Sequence, residues 1–140
     1  MIILDTNVVS ELMQIAPERK VVQWLDQQPW PSLWTTAVTV FEIRLGLEIM
    51  AEGRRRIALT RAWEETLARM NQQIIPFDTE AAEHASTLTV SRKTRGRPRE
   101  LRDTMIAGMV LSRHATLATR NVRDFDDLTG AIVDPWTAKA

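Results

Sequence analysis

Cysteine is absent from these 140 residues. Without thiols there is no disulfide framework, thiolate zinc site or cysteine nucleophile, and the composition fits a reducing cytoplasm. Net charge is absent too: 18 Lys and Arg balance 18 Asp and Glu, so affinity for a charged partner must come from local clusters. Long apolar runs are also missing. The longest near a helix, Met105-Ile106-Ala107-Gly108-Met109-Val110-Leu111, falls far short of the ~20 residues needed to cross a bilayer. No basic segment followed by a long apolar one opens the chain, so we expect no signal peptide, no membrane partner and a cytoplasmic location. A glycine-rich phosphate loop is lacking, and His84 and His114 have neither the spacing nor the partners of a metal or Ser-His site. Nucleotide binding and covalent catalysis lose support accordingly. At this length a single domain over residues 1–140 is expected, burying roughly 68–70% of its unfolded surface.

What is present begins with Ile2-Ile3-Leu4, three apolar residues that read as a buried central strand, followed at once by Asp5-Thr6-Asn7. The acid thus falls where the strand leaves the sheet, the edge at which open α/β sheets bind ligands. A carboxylate, a hydroxyl and an amide in a row offer oxygen-rich groups suited to a hard cation such as Mg²⁺ or Mn²⁺. One acid holds such an ion poorly, so other carboxylates must converge on it.

The remaining chain alternates strand and helix signals. A helix with Val21, Val22, Trp24 and Leu25 on its apolar stripe opens after Pro17-Glu18 and closes at Pro29-Trp30-Pro31. Residues 32–37 read as a second strand. Thr39-Val40-Phe41-Glu42 has a capping-box pattern, which predicts a helix starting near Thr39 with Glu42 in its first turn. After Glu52-Gly53, a long helix carries Ile57, Leu59, Trp63, Leu67 and Met70 at helical spacing. Ile74-Ile75-Pro76-Phe77 is a short strand, and Asp78-Thr79 with Glu80 starts the next helix. Residues 92–102, with Gly96 and Pro98 at their centre, are predicted to be a loop. A core helix from Asp103-Thr104 to near His114, a strand at 115–119, a polar loop at 120–130 and an edge strand Ala131-Ile132-Val133 complete the chain. This alternation predicts an α/β fold with a mainly parallel central sheet flanked by helices.

Hydrolysis of a phosphodiester requires an activated water and stabilisation of charge on phosphorus, both of which divalent ions held by carboxylates supply. Asp5, Glu42 and Asp103 each fall near a strand or helix terminus, where such a sheet gathers side chains. Each also has a plain structural alternative. Asp5 is a good N-cap, Glu42 completes a capping box, and Asp103 suits the first turn of a helix through the dipole.

The surrounding motifs weigh between these readings. Ile3-Leu4-Asp5-Thr6-Asn7, Thr39-Val40-Phe41-Glu42-Ile43-Arg44-Leu45-Gly46, Asp103-Thr104-Met105-Ile106-Ala107 and Ala118-Thr119-Arg120-Asn121-Val122-Arg123-Asp124-Phe125 occur in that order. Together they resemble the PIN-domain ribonucleases of the VapC-like toxin family, and Val133-Asp134-Pro135-Trp136 resembles its FitB-type branch. The resemblance spans nearly the whole chain. It implies a PIN-like fold and an endoribonuclease dependent on Mg²⁺ or Mn²⁺. It also implies a toxin of a type II toxin-antitoxin system that acts on RNA, is neutralised by a cognate antitoxin, forms a homodimer and meets DNA only through the antitoxin. By motif, Asp5 and Asp103 would be the main metal ligands and Glu42 the third acid. The fourth acidic position falls to Asn121 or Asp124. Thr6, Asn7 and Thr119 stand beside these residues and are candidates to orient water or substrate.

Arg92, Lys93, Arg95, Arg97, Arg99 and Arg102 crowd the segment just upstream of Asp103, with Glu100 the only acid among them. Such a strip either guides a polyanion toward the site, Arg99 and Arg102 being nearest, or is a solvated loop. Arg54, Arg55, Arg56 and Arg61 form a second cluster better suited to solvent or a protein partner. Trp24 and Trp63 lie on apolar stripes and read as packing residues, whereas Trp30, between prolines, is expected to be the more exposed. The helices bearing Val21 to Leu25 and Ile57 to Met70 are candidate contact faces for a partner. The competing function is a nucleic-acid-associated binding module held with an antitoxin and nearly devoid of nuclease activity. An aspartyl-phosphate hydrolase would need an acid where Asn7 stands.

Overall fold

The strand β1 (Ile2–Leu4) occupies the middle of the sheet, which accounts for its unbroken apolar sequence. In the computed structural model, which describes residues 1–138, it pairs in parallel with β2 (Leu33–Thr36) on one side and β4 (Thr116–Ala118) on the other. Next to β2 lies β3 (Ile74–Ile75) and next to β4 lies β5 (Ile132–Val133), giving the order β3-β2-β1-β4-β5 with every pair parallel. Because the chain leaves β1 toward β2 and later returns to the other side as β4, the carboxyl end of β1 sits at a switch in strand order. Crevices form there.

Helices cover both faces. Adjacent strand residues point to opposite sides, so Leu4 joins one cluster with Val8, Val21, Leu25, Leu33, Leu47, Trp63 and Met70. Ile3 joins the other with Ile75, Ile106, Met109, Leu117, Phe125 and Leu128. The first cluster is roofed by α1 (Thr6–Leu12), α2 (Arg19–Asp26), α3 (Ala37–Ile49) and α4 (Arg54–Arg69), the second by α5 (Thr79–Thr94) and α6 (Leu101–Ser112). Each fully buried aliphatic or aromatic side chain contributes about 1.5–3 kcal/mol. Among the described residues, no helix is long and apolar enough to cross a membrane.

The α5–α6 contact is close because of Gly108. A Cβ there would meet the Ala81 carbonyl oxygen at 2.5 Å and the Ala85 Cβ at 2.8 Å.

Four boundaries differ from the sequence expectation. β2 ends at Thr36, and α3 begins at Ala37 with Thr36 as its cap, the Thr36 Oγ1 accepting from Thr39 N at 3.0 Å. Glu42 therefore lies in the second turn, and the capping-box role proposed for it is not used. The helix α5 continues to Thr94, and the chain turns only at Gly96, where φ is +68°. The predicted loop at 92–102 is thus confined to a short connection, and Arg92 is a buried helical residue. The cap of α6 is Glu100, whose carboxylate accepts from Arg102 N at 2.9 Å and Asp103 N at 3.3 Å, which leaves Asp103 no capping duty. Finally, the segment read as a polar loop contains a 3-10 turn, Val122–Phe125, with Phe125 and Leu128 completely or almost completely buried.

Trp24 and Trp63 are core residues, as their spacing predicts. Trp30 is half-buried, with the Arg69 guanidinium 4.2 Å from its ring centroid. With the tryptophans of α2 and α4 turned inward, the exposed large apolar residues of α3 and α4 are Phe41, Leu45, Ile49 and Ile57.

Candidate active site

Asp5 is pinned to the sheet edge by its own backbone, since its N–H donates to the Ala118 carbonyl at 2.9 Å and prolongs the β1–β4 ladder by one residue. Its side chain is 4% exposed and fully engaged. Oδ1 accepts from Thr6 N at 2.8 Å, and Oδ2 accepts from Thr119 Oγ1 at 2.7 Å and Asn7 Nδ2 at 3.3 Å. Burial pushes the Asp5 carboxyl above its ordinary range. The Thr119 and Thr6 bonds oppose that shift, while the nearby charges of Glu42 and Asp124 add to it.

Thr119 and Asn7 knit the ends of β1 and β4 together. Thr119 Oγ1, having given its proton to Asp5, accepts from Asn7 Nδ2 at 3.2 Å and Asn121 N at 3.1 Å. Asn7 Oδ1 accepts in turn from Arg120 N at 3.1 Å. Asn121 thus enters the network through its backbone.

Glu42 reaches the same edge from α3. Its Oε1 accepts from Thr6 Oγ1 at 2.8 Å. Because Thr6 spends its only hydroxyl proton there, the 3.0 Å contact between Thr39 Oγ1 and Thr6 Oγ1 must be donated by Thr39. Thr36 Oγ1 donates to Thr39 Oγ1 at 3.3 Å. The three hydroxyls therefore form one directed relay, Thr36 to Thr39 to Thr6, ending on the Glu42 carboxylate. Each bond in such a chain polarises the next. On its other side Glu42 Oε2 lies 3.7 Å from Arg102 Nη1, and Arg102 also pairs with Glu100 at 3.1 Å.

Asp103 stands in the first turn of α6. Its carboxyl is pushed up to about 6, first by partial burial and then by the charges of Asp5, Glu100, Asp124 and Glu42. This mutual repulsion places Asp5, Glu42, Asp103 and Asp124 in one electrostatic neighbourhood. All four candidate acids share the carboxyl edge of the sheet.

The basic strip behaves differently from its sequence expectation. Arg92 is 2% exposed and bonded inside the protein. Arg95 pairs with Asp127 at 3.1 Å and Arg97 with Asp126 at 3.2 Å. Arg99 donates to the Arg123 carbonyl at 3.2 Å and lies 3.9 Å from Asp126. Much of the cluster is therefore matched by acids following the 3-10 turn, and Arg102 is the member that faces the carboxylates. Exposed pairs of this kind are weak and exchangeable. The Thr36–Thr39–Thr6 relay and the Arg92–Asp127 pair were not foreseen. The spacing of Thr36 and Thr39 was a usable signal for the former; nothing local marks the latter.

The site offers oxygen donors alone, the set preferred by Mg²⁺ and Mn²⁺. Among the described residues, no group of three or more His, Asp or Glu side chains is arranged to hold a metal ion as it stands. Mg²⁺ needs only one or two carboxylates, completing its shell with water and phosphate. A divalent cation among these acids would also offset the repulsion that raises Asp5 and Asp103. The residues present therefore fit such an ion.

Comparison with known proteins places this geometry. The PIN domain family model matches residues 2–131. The chain is 36% identical over 137 residues to VapC ribonuclease Y4jK of Sinorhizobium fredii, the alignment covering 97% of this chain and 98% of that protein. It is 32% identical over 137 residues to toxin FitB of Neisseria gonorrhoeae, with 97% and 99% covered. It superimposes on a structure of FitAB bound to an IR36 DNA fragment with a TM-score of 0.89 and 31% identity, covering 100% of this chain and 99% of that one. On its fold, its motifs and these relatives, the chain belongs to the PIN domain family, in its VapC- and FitB-like branch.

Proposed function

We propose that this protein is a divalent-metal-dependent endoribonuclease that serves as the toxin of a type II toxin-antitoxin pair. The observation that carries the reading is the gathering of Asp5, Glu42, Asp103 and Asp124 on one sheet edge, with Asp103 pushed up to about 6 by its acidic neighbours. Residues arranged so that like charges oppose one another are poised for a cation or a proton.

Asp5 and Asp103 would hold the ion, and Glu42 would support it directly or through water. The ion, when bound, supplies a more acidic water and neutralises charge on the attacked phosphate. The chain's own residues do the rest. Thr119, Asn7 and the Thr6 N–H fix the Asp5 carboxylate so that it need not reorganise when charge develops. The threonine relay fixes Glu42 in the same way. Asp124 contributes negative charge at the fourth position, and Asn121 an exposed amide. Arg102 has an exchangeable carboxylate partnership and can transfer its guanidinium to an RNA phosphate. In the reaction the water oxygen bonds to phosphorus, the ester P–O bond breaks and the departing oxygen takes up a proton. No covalent enzyme intermediate is required.

The solved FitAB complex bound to a DNA fragment supports a protein partner, which we take to be the antitoxin and through which this chain would meet DNA. The exposed apolar residues of α3 and α4 are the face we assign to protein contacts, including a homodimer. Incubating purified protein with total RNA in Mg²⁺, Mn²⁺ or EDTA tests the nuclease. Metal-dependent fragments that vanish in an Asp5→Asn, Asp103→Asn variant are expected. Cleavage that persists in EDTA would refute metal dependence, and no cleavage with any ion would favour a binding module.

A further inference from the structure

Arg92 is a buried arginine with four bonds to three residues in two segments. It lies in the last turn of α5 and is 2% exposed. Its Nε donates to Asp127 Oδ2 at 2.8 Å and its Nη2 to Asp127 Oδ1 at 2.9 Å, a two-pronged pairing with one carboxylate. Nη1 donates to Thr104 Oγ1 at 2.9 Å, and Nη2 also reaches the Asp124 carbonyl at 3.3 Å. Thr104 adjoins Asp103. Asp124 is itself one of the four acids. A single guanidinium thus spans the two segments that carry Asp103 and Asp124, and the hydroxyl it grips is tied back to the Glu100 carbonyl at 3.2 Å.

This arrangement exceeds what stability alone asks of the site. Removing a charge pair from water is costly, and apolar residues of similar volume serve as well or better for stability. The fork of arginine, by contrast, fixes angles as well as distances. The partner carboxylate, Asp127, is held below its usual range, chiefly by its hydrogen bond to Arg92, so the clamp stays charged throughout the physiological range. The turn it secures has further anchors, with Phe125 and Leu128 in the core and Asp124 N bonded to the Asn121 carbonyl at 3.0 Å.

We propose that Arg92 and Asp127 form a positioning clamp for the metal-binding edge, locking the Asp124 turn against the first turn of α6 so that Asp124 and Asp103 hold a fixed separation. Neither residue touches substrate. Both act through the acids they place, a role that rests on the proposed metal-dependent activity. Partners behind metal ligands are commonly worth 10- to 100-fold in affinity.

The test uses the full chain in three forms: wild type, Arg92→Lys, and the double variant Arg92→Met, Asp127→Leu. The lysine keeps the charge and loses the fork, and the double variant removes both charges while retaining bulk. Mn²⁺ affinity by calorimetry, thermal unfolding and amide hydrogen exchange at Asp124 and Leu128 are measured on each. We expect Mn²⁺ to bind at least tenfold more weakly to both variants, and the two amides to exchange faster, even where the melting temperature stays near wild type. Wild-type Mn²⁺ affinity in a stable double variant, with unchanged exchange, would overturn the clamp and leave a purely structural pair. Should the double variant not fold, Arg92→Lys binding Mn²⁺ within twofold of wild type would overturn it equally. If wild type binds no Mn²⁺, the metal reading fails instead, and the clamp stands or falls on exchange at the two amides.

Discussion

Thr119 donates its hydroxyl to Asp5 Oδ2 at 2.7 Å across 114 positions of sequence. The bond joins the residue after β4 to the residue after β1, and it is the shortest restraint on the acid at the centre of the site. Thr119→Val keeps the shape and deletes the donor. Asp5 then loses the largest of the influences that hold its pKa down, and its Oδ2 keeps only the longer 3.3 Å bond from Asn7 Nδ2; the lost bond to a charged acceptor is worth about 1.5–3 kcal/mol. The expected outcome is weaker Mn²⁺ binding and lower RNA cleavage in Thr119→Val, with both recovered in Thr119→Ser. Equal activity in all three proteins would show that the bond has no part in placing Asp5.

Asp103 carries a measurable conflict between folding and its proposed function. Its folded pKa of about 6 exceeds the ordinary 3.8, so the native state holds the proton more tightly than the unfolded chain. Its contribution to stability is therefore present below 3.8 and lost as pH rises through about 6. At pH 7 the ionised group destabilises the metal-free protein, by about 1–2 kcal/mol once solvent screening of a half-exposed side chain is allowed for. Asp103→Asn is expected to melt a few degrees higher than wild type at pH 7 without metal, to show no such gain at pH 3.5, and to lose RNA cleavage. A lower melting temperature at pH 7 would contradict this.

Metal ligands bind deprotonated. Mn²⁺ affinity should accordingly fall as pH drops through about 6, the pKa of Asp103. Calorimetric titrations between pH 5 and pH 8 measure it, and a flat profile would remove Asp103 from the ligand set.

Glu42→Gln separates charge from structure, since Glu42 has no capping role and sits in the second turn of α3. The amide oxygen can still accept from Thr6 Oγ1, so the relay and the helix should survive. We expect thermal unfolding close to wild type with cleavage reduced tenfold or more. A fully active variant would show that the carboxylate charge is dispensable.

Gly108→Ala tests the packing on which α6 depends. The added methyl would sit 2.5 Å from the Ala81 carbonyl oxygen. Overpacking of this kind costs about 1–3 kcal/mol, and the displaced α6 carries Asp103. Lower thermal stability is expected, and an unchanged melting curve would mean that α5 and α6 separate freely.

The sheet and the placement of the three candidate acids at its edge are legible because their signals are local. Ile2-Ile3-Leu4 followed by Asp5 announces a central strand and its exit, and the apolar run after Asp103 announces a core helix. Helix starts are harder, because two threonines three positions apart compete. Thr39 with Glu42 mimics a capping box, yet Thr36 takes the cap, since β2 delivers it in extended geometry at the sheet edge. Arg92 was illegible for a different reason. Within a run of arginines it reads as solvated, and the acid that buries it lies 35 positions away. Long-range charge pairing leaves no periodic trace.

The central claim, that a divalent ion held by Asp5 and Asp103 supports RNA hydrolysis, is tested most directly by crystals grown with Mn²⁺ and measured at an anomalous-scattering wavelength. The account predicts one anomalous peak in contact with carboxylate oxygens of both Asp5 and Asp103, lost in Asp103→Asn. A cleaving protein whose crystals show Mn²⁺ bound elsewhere, or no peak at saturating Mn²⁺, would contradict it.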